Sequence, residues 1–178
     1  MLELDFRKNF FQLFGLPERY RLDSAELSQR YRVLQGEVHP DKFSHRPESE
    51  RRLSMQWATQ INEAYHTLGN SVQRGRYLLQ QHGVDTLEET NTAMPADFLM
   101  QQMEWREAIE EAAQACDAAA LTALEARLQH EMRELETQLA VKIDDKRDYP
   151  AAALDVRKLK FLEKLAEEIA SAFDRIDT

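Results

Sequence analysis

Apolar residues recur at three- and four-residue spacing in stretch after stretch of this chain, the period of helices that each bury one face. Leu27, Tyr31, Leu34 and Val38 stand at i, i+4, i+7 and i+11 and predict a helix capped by Asp23 or Ser24. That helix must end near Val38, because Pro40 disfavours the α conformation at His39. Gly36 weakens its last turn by about 1 kcal/mol relative to Ala. A second long helix is predicted from about Glu48 to Leu68, with Leu53, Trp57, Ile61, Ala64 and Leu68 on one side and Gly69 and Asn70 as its stop. Two such helices joined by a loop of about ten residues form an antiparallel hairpin. Phe10, Phe14 and Leu16, from an N-terminal segment that stops at Gly15 and Pro17, are placed to close its open face. A short fourth segment, SVQRGRYLLQQHG, ends at Gly83.

Periodicity then lapses in GVDTLEETNTAMPA, which reads as a linker, placed at 81–96, between a first lobe at 1–80 and a second at 97–178. Three more helices are predicted, at about 96–115, 118–144 and 150–176, with Pro150 near the first turn of the last. Leu121, Leu124, Leu128, Leu135 and Leu139 form a seam that belongs in a small bundle. The expected fold class is therefore all-α: a helical hairpin with short flanking helices, then a three-helix bundle. Only five Gly and five Pro in 178 residues agree with that.

Charge divides the chain in the same way. Residues 1–80 carry a net +2 and the remainder −11, within an overall −9. So acidic a second half argues against a nucleic-acid partner. A single cysteine, Cys116, excludes an internal disulfide, and no leader-like N-terminus or apolar run of the roughly 20 residues needed to span a bilayer is present. A soluble, cytoplasmic protein is expected.

The stretch GEVHPDKFSH at 36–45 lies between the two hairpin helices. As a metal site, His39, Asp41 and His45 offer at most three ligands from one loop, with no HExxH pair to complete a shell. As a catalytic dyad it lacks a nucleophile: no Ser sits in a strained elbow, and Cys116 lies in Ala-rich helical sequence where burial is expected. Neither a metal nor a cofactor nor a catalytic residue is expected. A plain turn remains, since Pro and Asp are favoured there, but the tripeptide arises by chance in only about one chain per hundred of this length.

A second feature lies in FLMQQMEWREAIEEA at 98–112. At about 100° per residue Phe98, Trp105, Ile109 and Ala112 gather on one side as a core face. Leu99, Met100 and Met103 fall on another, with Glu104, Glu107, Glu110 and Glu111 on or beside it. Either Leu99 and Met103 pack beneath the linker or first lobe, or they form an exposed apolar patch with an acidic rim, the mark of a partner site. Flexible thioethers suit such a surface.

HPDKF between two long helices, followed by QINEAYHTL at 60–68 and RGRYLL at 74–79, resembles a J domain. FQLFGLPERYRLD at 11–23, FLMQQMEWREAIEEA and VRKLKFLEKL at 156–165 are similar to the HscB family, the J proteins of iron–sulfur cluster assembly. That resemblance implies a co-chaperone, not an enzyme, that stimulates the ATPase of an HscA-type seventy-kilodalton chaperone. His39, Pro40, Asp41, Lys42, Arg30 and Arg32 would make that contact. It also implies that Leu99, Met100, Met103, Glu104, Glu107, Glu111 and Phe161 bind the iron–sulfur scaffold protein IscU. The chain departs from the J-domain pattern in having Val38 where an aromatic usually precedes the tripeptide and Gly36 and Glu37 where basic residues are usual. It also lacks the Cys-x-x-Cys motif of eukaryotic relatives, so no zinc is implied. The rival expectation is a J protein of a general chaperone, with a second lobe that is structural or dimerising.

Overall fold

The computed structural model describes residues 5, 7–86 and 94–176. Among the described residues every regular element is helical. They are α1 (Phe10–Phe14), α2 (Ser24–Val38), a 3₁₀ turn (Pro40–Phe43), α3 (Glu48–Gly69), α4 (Ser71–Gln81), α5 (Ala96–Gln114), α6 (Ala118–Ala140), a π turn (Val141–Lys146) and α7 (Tyr149–Ile176). Packing divides the chain into two compact units, Met1–Gln81 and His82–Thr178. The middle of the segment read as a linker, residues 87–93, lies outside the described residues.

In the first unit the Asp23 carboxylate caps α2 by accepting from the Ala25 and Glu26 N–H groups. Leu27, Leu34 and Val38 are buried, while Tyr31 is half-buried, its ring stacked on Tyr65 at 4.0 Å and its hydroxyl donating to Asn62 Oδ1 at 2.9 Å. Cross-contacts pair Ser28 with Tyr65, Gln35 with Asn62 and Val38 with Ser54, so numbers rise on one helix as they fall on the other. The hairpin is antiparallel.

One position of the expected α3 face is wrong. Leu53 is 45 % exposed, and its neighbour Ser54 faces inward at 3 %. The Ser54 hydroxyl donates to the Val38 carbonyl at 2.6 Å. Val38 ends α2, where a carbonyl loses its helical donor, and the polar side chain of α3 supplies one. Replacing Ser54 by Ala should leave that buried acceptor unsatisfied and cost about 1–3 kcal/mol, read from the urea midpoint. An unchanged midpoint would show that water replaces the hydroxyl.

The N-terminal helix closes the hairpin through more than the expected Phe14 and Leu16: Phe11 is fully buried. Phe10 is only half-buried, stacked on Tyr77 at 4.6 Å, and its N–H donates to Tyr77 Oη at 2.9 Å. Burial pushes the Tyr77 phenol above its usual range, opposed by the bond from Phe10. Gly15 ends α1 at φ 62°, and a Cβ there would meet Arg30 Nη1 at 3.0 Å. In α4 the Arg74 Nε donates to the Tyr20 carbonyl at 2.9 Å, and its guanidinium lies 4.8 Å from the Tyr20 ring centroid, tying α4 to the segment before α2.

In the second unit Trp105, Ile109 and Ala112 of α5, Leu121 and Leu128 of α6, and Leu162, Leu165, Ile169 and Ala172 of α7 make one core. Both connections use the same device. Cys116 at φ 52° and Arg147 at φ 54° take the left-handed conformation, and the following Asp117 and Asp148 cap the next helix through the N–H groups of Ala120 and Ala151. After α5 the Asp117 N–H reaches Ala112 O and the Cys116 N–H reaches Ala113 O, a Schellman closure. Cys116 is therefore exposed at a turn, not buried in a helix as its Ala-rich surroundings implied. The helix expected at 118–144 widens into the π turn from Val141. Lys142 on that turn meets Asp155, itself buried at 3 %, across 2.5 Å.

Candidate functional site

The His39–Pro40–Asp41 segment begins where α2 stops. His39 has ψ 128°, outside the helical range as expected before Pro, and Pro40 opens the 3₁₀ turn. The turn is fastened by its backbone: Lys42 N–H donates to His39 O at 3.0 Å and the Ser44 hydroxyl to Asp41 O at 2.9 Å. Among the described residues the one hydrogen bond to the imidazole is long, from Asp41 N–H to Nδ1 at 3.3 Å. The side chains of His39 and Asp41 are 56 % and 89 % exposed, with Nδ1 and Oδ2 3.5 Å apart. A hydrogen-bonded turn thus holds a polar pair out to solvent. Pro40, Lys42 and Arg32 are exposed as well.

Arg30 is differently placed. Its Nη1 donates to Phe14 O at 3.0 Å, and Nε and Nη2 bond Glu26 Oε1 at 3.1 and 2.8 Å. It caps the C-terminal end of α1 and ties it to α2, with its side chain 43 % exposed.

On α5, Leu99, Met100 and Met103 are 43 %, 64 % and 72 % exposed. Glu104, Glu107 and Glu111 are exposed beside them. Their neighbour Glu110 is engaged with α7: hydrogen bonds from Gln114 and Arg175 hold its carboxyl below the usual range. Phe161 is half-buried, edge-on to the buried Phe98 at 5.5 Å and 80°, with the Arg106 guanidinium 5.4 Å from its centroid.

Sequence reading passed over cations on the same side. Arg106, Arg157, Lys160 and Lys164 line one groove with Phe161. The signal was legible in VRKLKFLEKL, where 157, 160, 161 and 164 fall at i, i+3, i+4 and i+7. Among the described residues no three His, Cys, Asp or Glu side chains group as a metal shell, and no helix is long and apolar enough to cross a membrane.

An antiparallel hairpin presenting His-Pro-Asp at its loop, in a chain with a three-helix unit, defines a J-domain co-chaperone. Comparison agrees. Residues 94–170 match the family model described as the HSCB C-terminal oligomerisation domain. A co-chaperone HscB homologue from Aromatoleum aromaticum is 49 % identical, covering 99 % of this chain and 100 % of its own. The chaperone HscB from Vibrio cholerae superposes with a TM-score of 0.84 at 37 % identity, over 95 % of this chain and 99 % of that one. The human co-chaperone HscB gives 0.88 at 31 % identity, over 94 % and 83 %. The chain belongs to the HscB family of co-chaperones.

Proposed function

We propose that this co-chaperone serves iron–sulfur cluster assembly by holding two proteins at once. The first unit engages an HscA-type chaperone through His39, Pro40, Asp41 and Lys42, flanked by Arg32 and the exposed edge of Arg30, and stimulates ATP hydrolysis by that partner. The second unit carries an IscU-type scaffold protein on Leu99, Met100, Met103, Glu104, Glu107, Glu111 and Phe161. One molecule binding both raises the local concentration of client at the chaperone without any new contact.

The exposed apolar patch on α5 carries this reading. Three large apolar side chains lie open to solvent on a helix whose opposite face is fully packed, and exposed carboxylates adjoin them. Calorimetric titration with the IscU-type scaffold of the same organism tests it: saturable binding at one scaffold per chain is expected, and no heat would leave a J protein with another client.

Self-association is favoured as a second reading by the word oligomerisation in the description of the matched family model. The seam that would support it is engaged inside the unit, with Leu121 and Leu139 fully buried and Leu128 at 1 %. A molar mass that stays at one chain across a dilution series would set self-association aside.

A further inference from the structure

Residues 81–178 carry a net charge of −11, yet the groove between α5 and α7 is basic. It encloses about 250 Å³. Two of its cations are answered locally: Arg106 Nε lies 3.4 Å from Glu168 Oε1, and Lys160 Nζ 2.9 Å from Glu163 Oε2. Arg157 is half-buried, and its Nε is buried with no acceptor among the described residues. Lys164 is exposed at the same groove. A guanidinium already partly withdrawn from water gains more from an incoming carboxylate than one on open surface, because less hydration remains to be lost and the planar fork can bind both oxygens.

Position along the α5 wheel adds direction. From the core face outward come Gln102, Arg106, Leu99, Glu110, Met103, Glu107 and Met100, then Glu111 and Glu104. Arg106 and Glu110 reach α7, whereas Gln101 on the other side reaches Glu131 of α6. Glu110, Glu163 and Glu168 on the α7 side are paired with Arg175, Lys160 and Arg106, so Arg157 and Lys164 are the groove cations left to border the apolar patch there, while the exposed Glu107, Glu111 and Glu104 border it on the other side. The surface is polarised across Leu99 and Met103.

We infer that the groove at Arg157 and Lys164 receives an Asp or Glu side chain of the scaffold protein, and that this polarity fixes the orientation in which the scaffold docks. The inference deepens the proposed client site and rests on it. Opposite charges on either side of an apolar contact admit one docking sense and oppose its reverse.

The test is titration of the full chain with the IscU-type scaffold at low and at high salt. The Arg157→Gln, Lys164→Gln double variant should bind about 10-fold more weakly at low salt and lose part of the salt dependence. Lys164→Glu, at an exposed position that leaves the core alone, should weaken binding comparably. Neutralising the matching scaffold carboxylate should then add little in the Arg157→Gln background, as a double-mutant cycle requires. Wild-type affinity in both variants, together with binding lost on replacing Leu99, Met100 and Met103 by Ala, would overturn the groove and leave the apolar face standing. Failure of the wild-type chain to bind the scaffold would overturn both.

Discussion

Replacing His39 by Gln should reduce stimulation of the HscA-type chaperone to the basal ATPase rate while leaving helicity and scaffold binding unchanged. The loop keeps its shape without the imidazole. Pro40 sets the backbone, Lys42 N–H and the Ser44 hydroxyl bond main-chain carbonyls, and Ser54 holds the Val38 carbonyl just upstream. Among the described residues Nδ1 meets only Asp41, through the 3.3 Å bond from its N–H and the carboxylate at 3.5 Å. An exposed side chain with one long bond should contribute less than about 1 kcal/mol to folding. At the centre of an interface the same polar group can be worth 2 kcal/mol or more, about 30-fold in affinity. Steady-state ATP hydrolysis with the scaffold present reads the effect, and circular dichroism is the control. Lost helicity would make the loop structural, whereas full stimulation would place the chaperone contact elsewhere.

Replacing Leu99, Met100 and Met103 together by Ala should weaken scaffold binding by about 4 kcal/mol, roughly a thousandfold, if the three act as central anchors. Thermal stability should hardly change, because all three are exposed and surface substitutions usually stay within about 0.5 kcal/mol each. The contrast is informative. Buried neighbours such as Phe98 and Trp105 would show the opposite pattern, since truncating them opens the core at a cost of about 3–5 kcal/mol. Calorimetry against the scaffold measures the first quantity and a melting curve the second. Undiminished binding would remove this face from the client site and the proposed function with it.

The helices could be read from the chain because their causes are local. Asp23 caps α2, Pro40 forbids its continuation, and Gly69 and Asn70 end α3, each acting within a turn of its own position. Periodicity likewise separated the packed residues Phe98, Trp105, Ile109 and Ala112 from Leu99, Met100 and Met103 on one helix. What escaped the sequence depends on a second segment. An i, i+4 count from Trp57 favours Leu53 over Ser54, and only the approach of Val38 from α2 turns the serine inward. Arg30 looks like one more surface cation until the end of α1 arrives to receive it. Cys116 sits in helix-forming sequence, but joining α5 to α6 within three residues requires a left-handed residue there, and the Asp117 cap completes the corner. The basic groove is divided between Arg106 on α5 and Arg157 and Lys164 on α7, some fifty residues apart in sequence. Local spacing settles which residues share a helical face, because backbone geometry repeats every few residues. Which faces meet, and which charges stand together, follows only when long-range packing brings distant helices into contact.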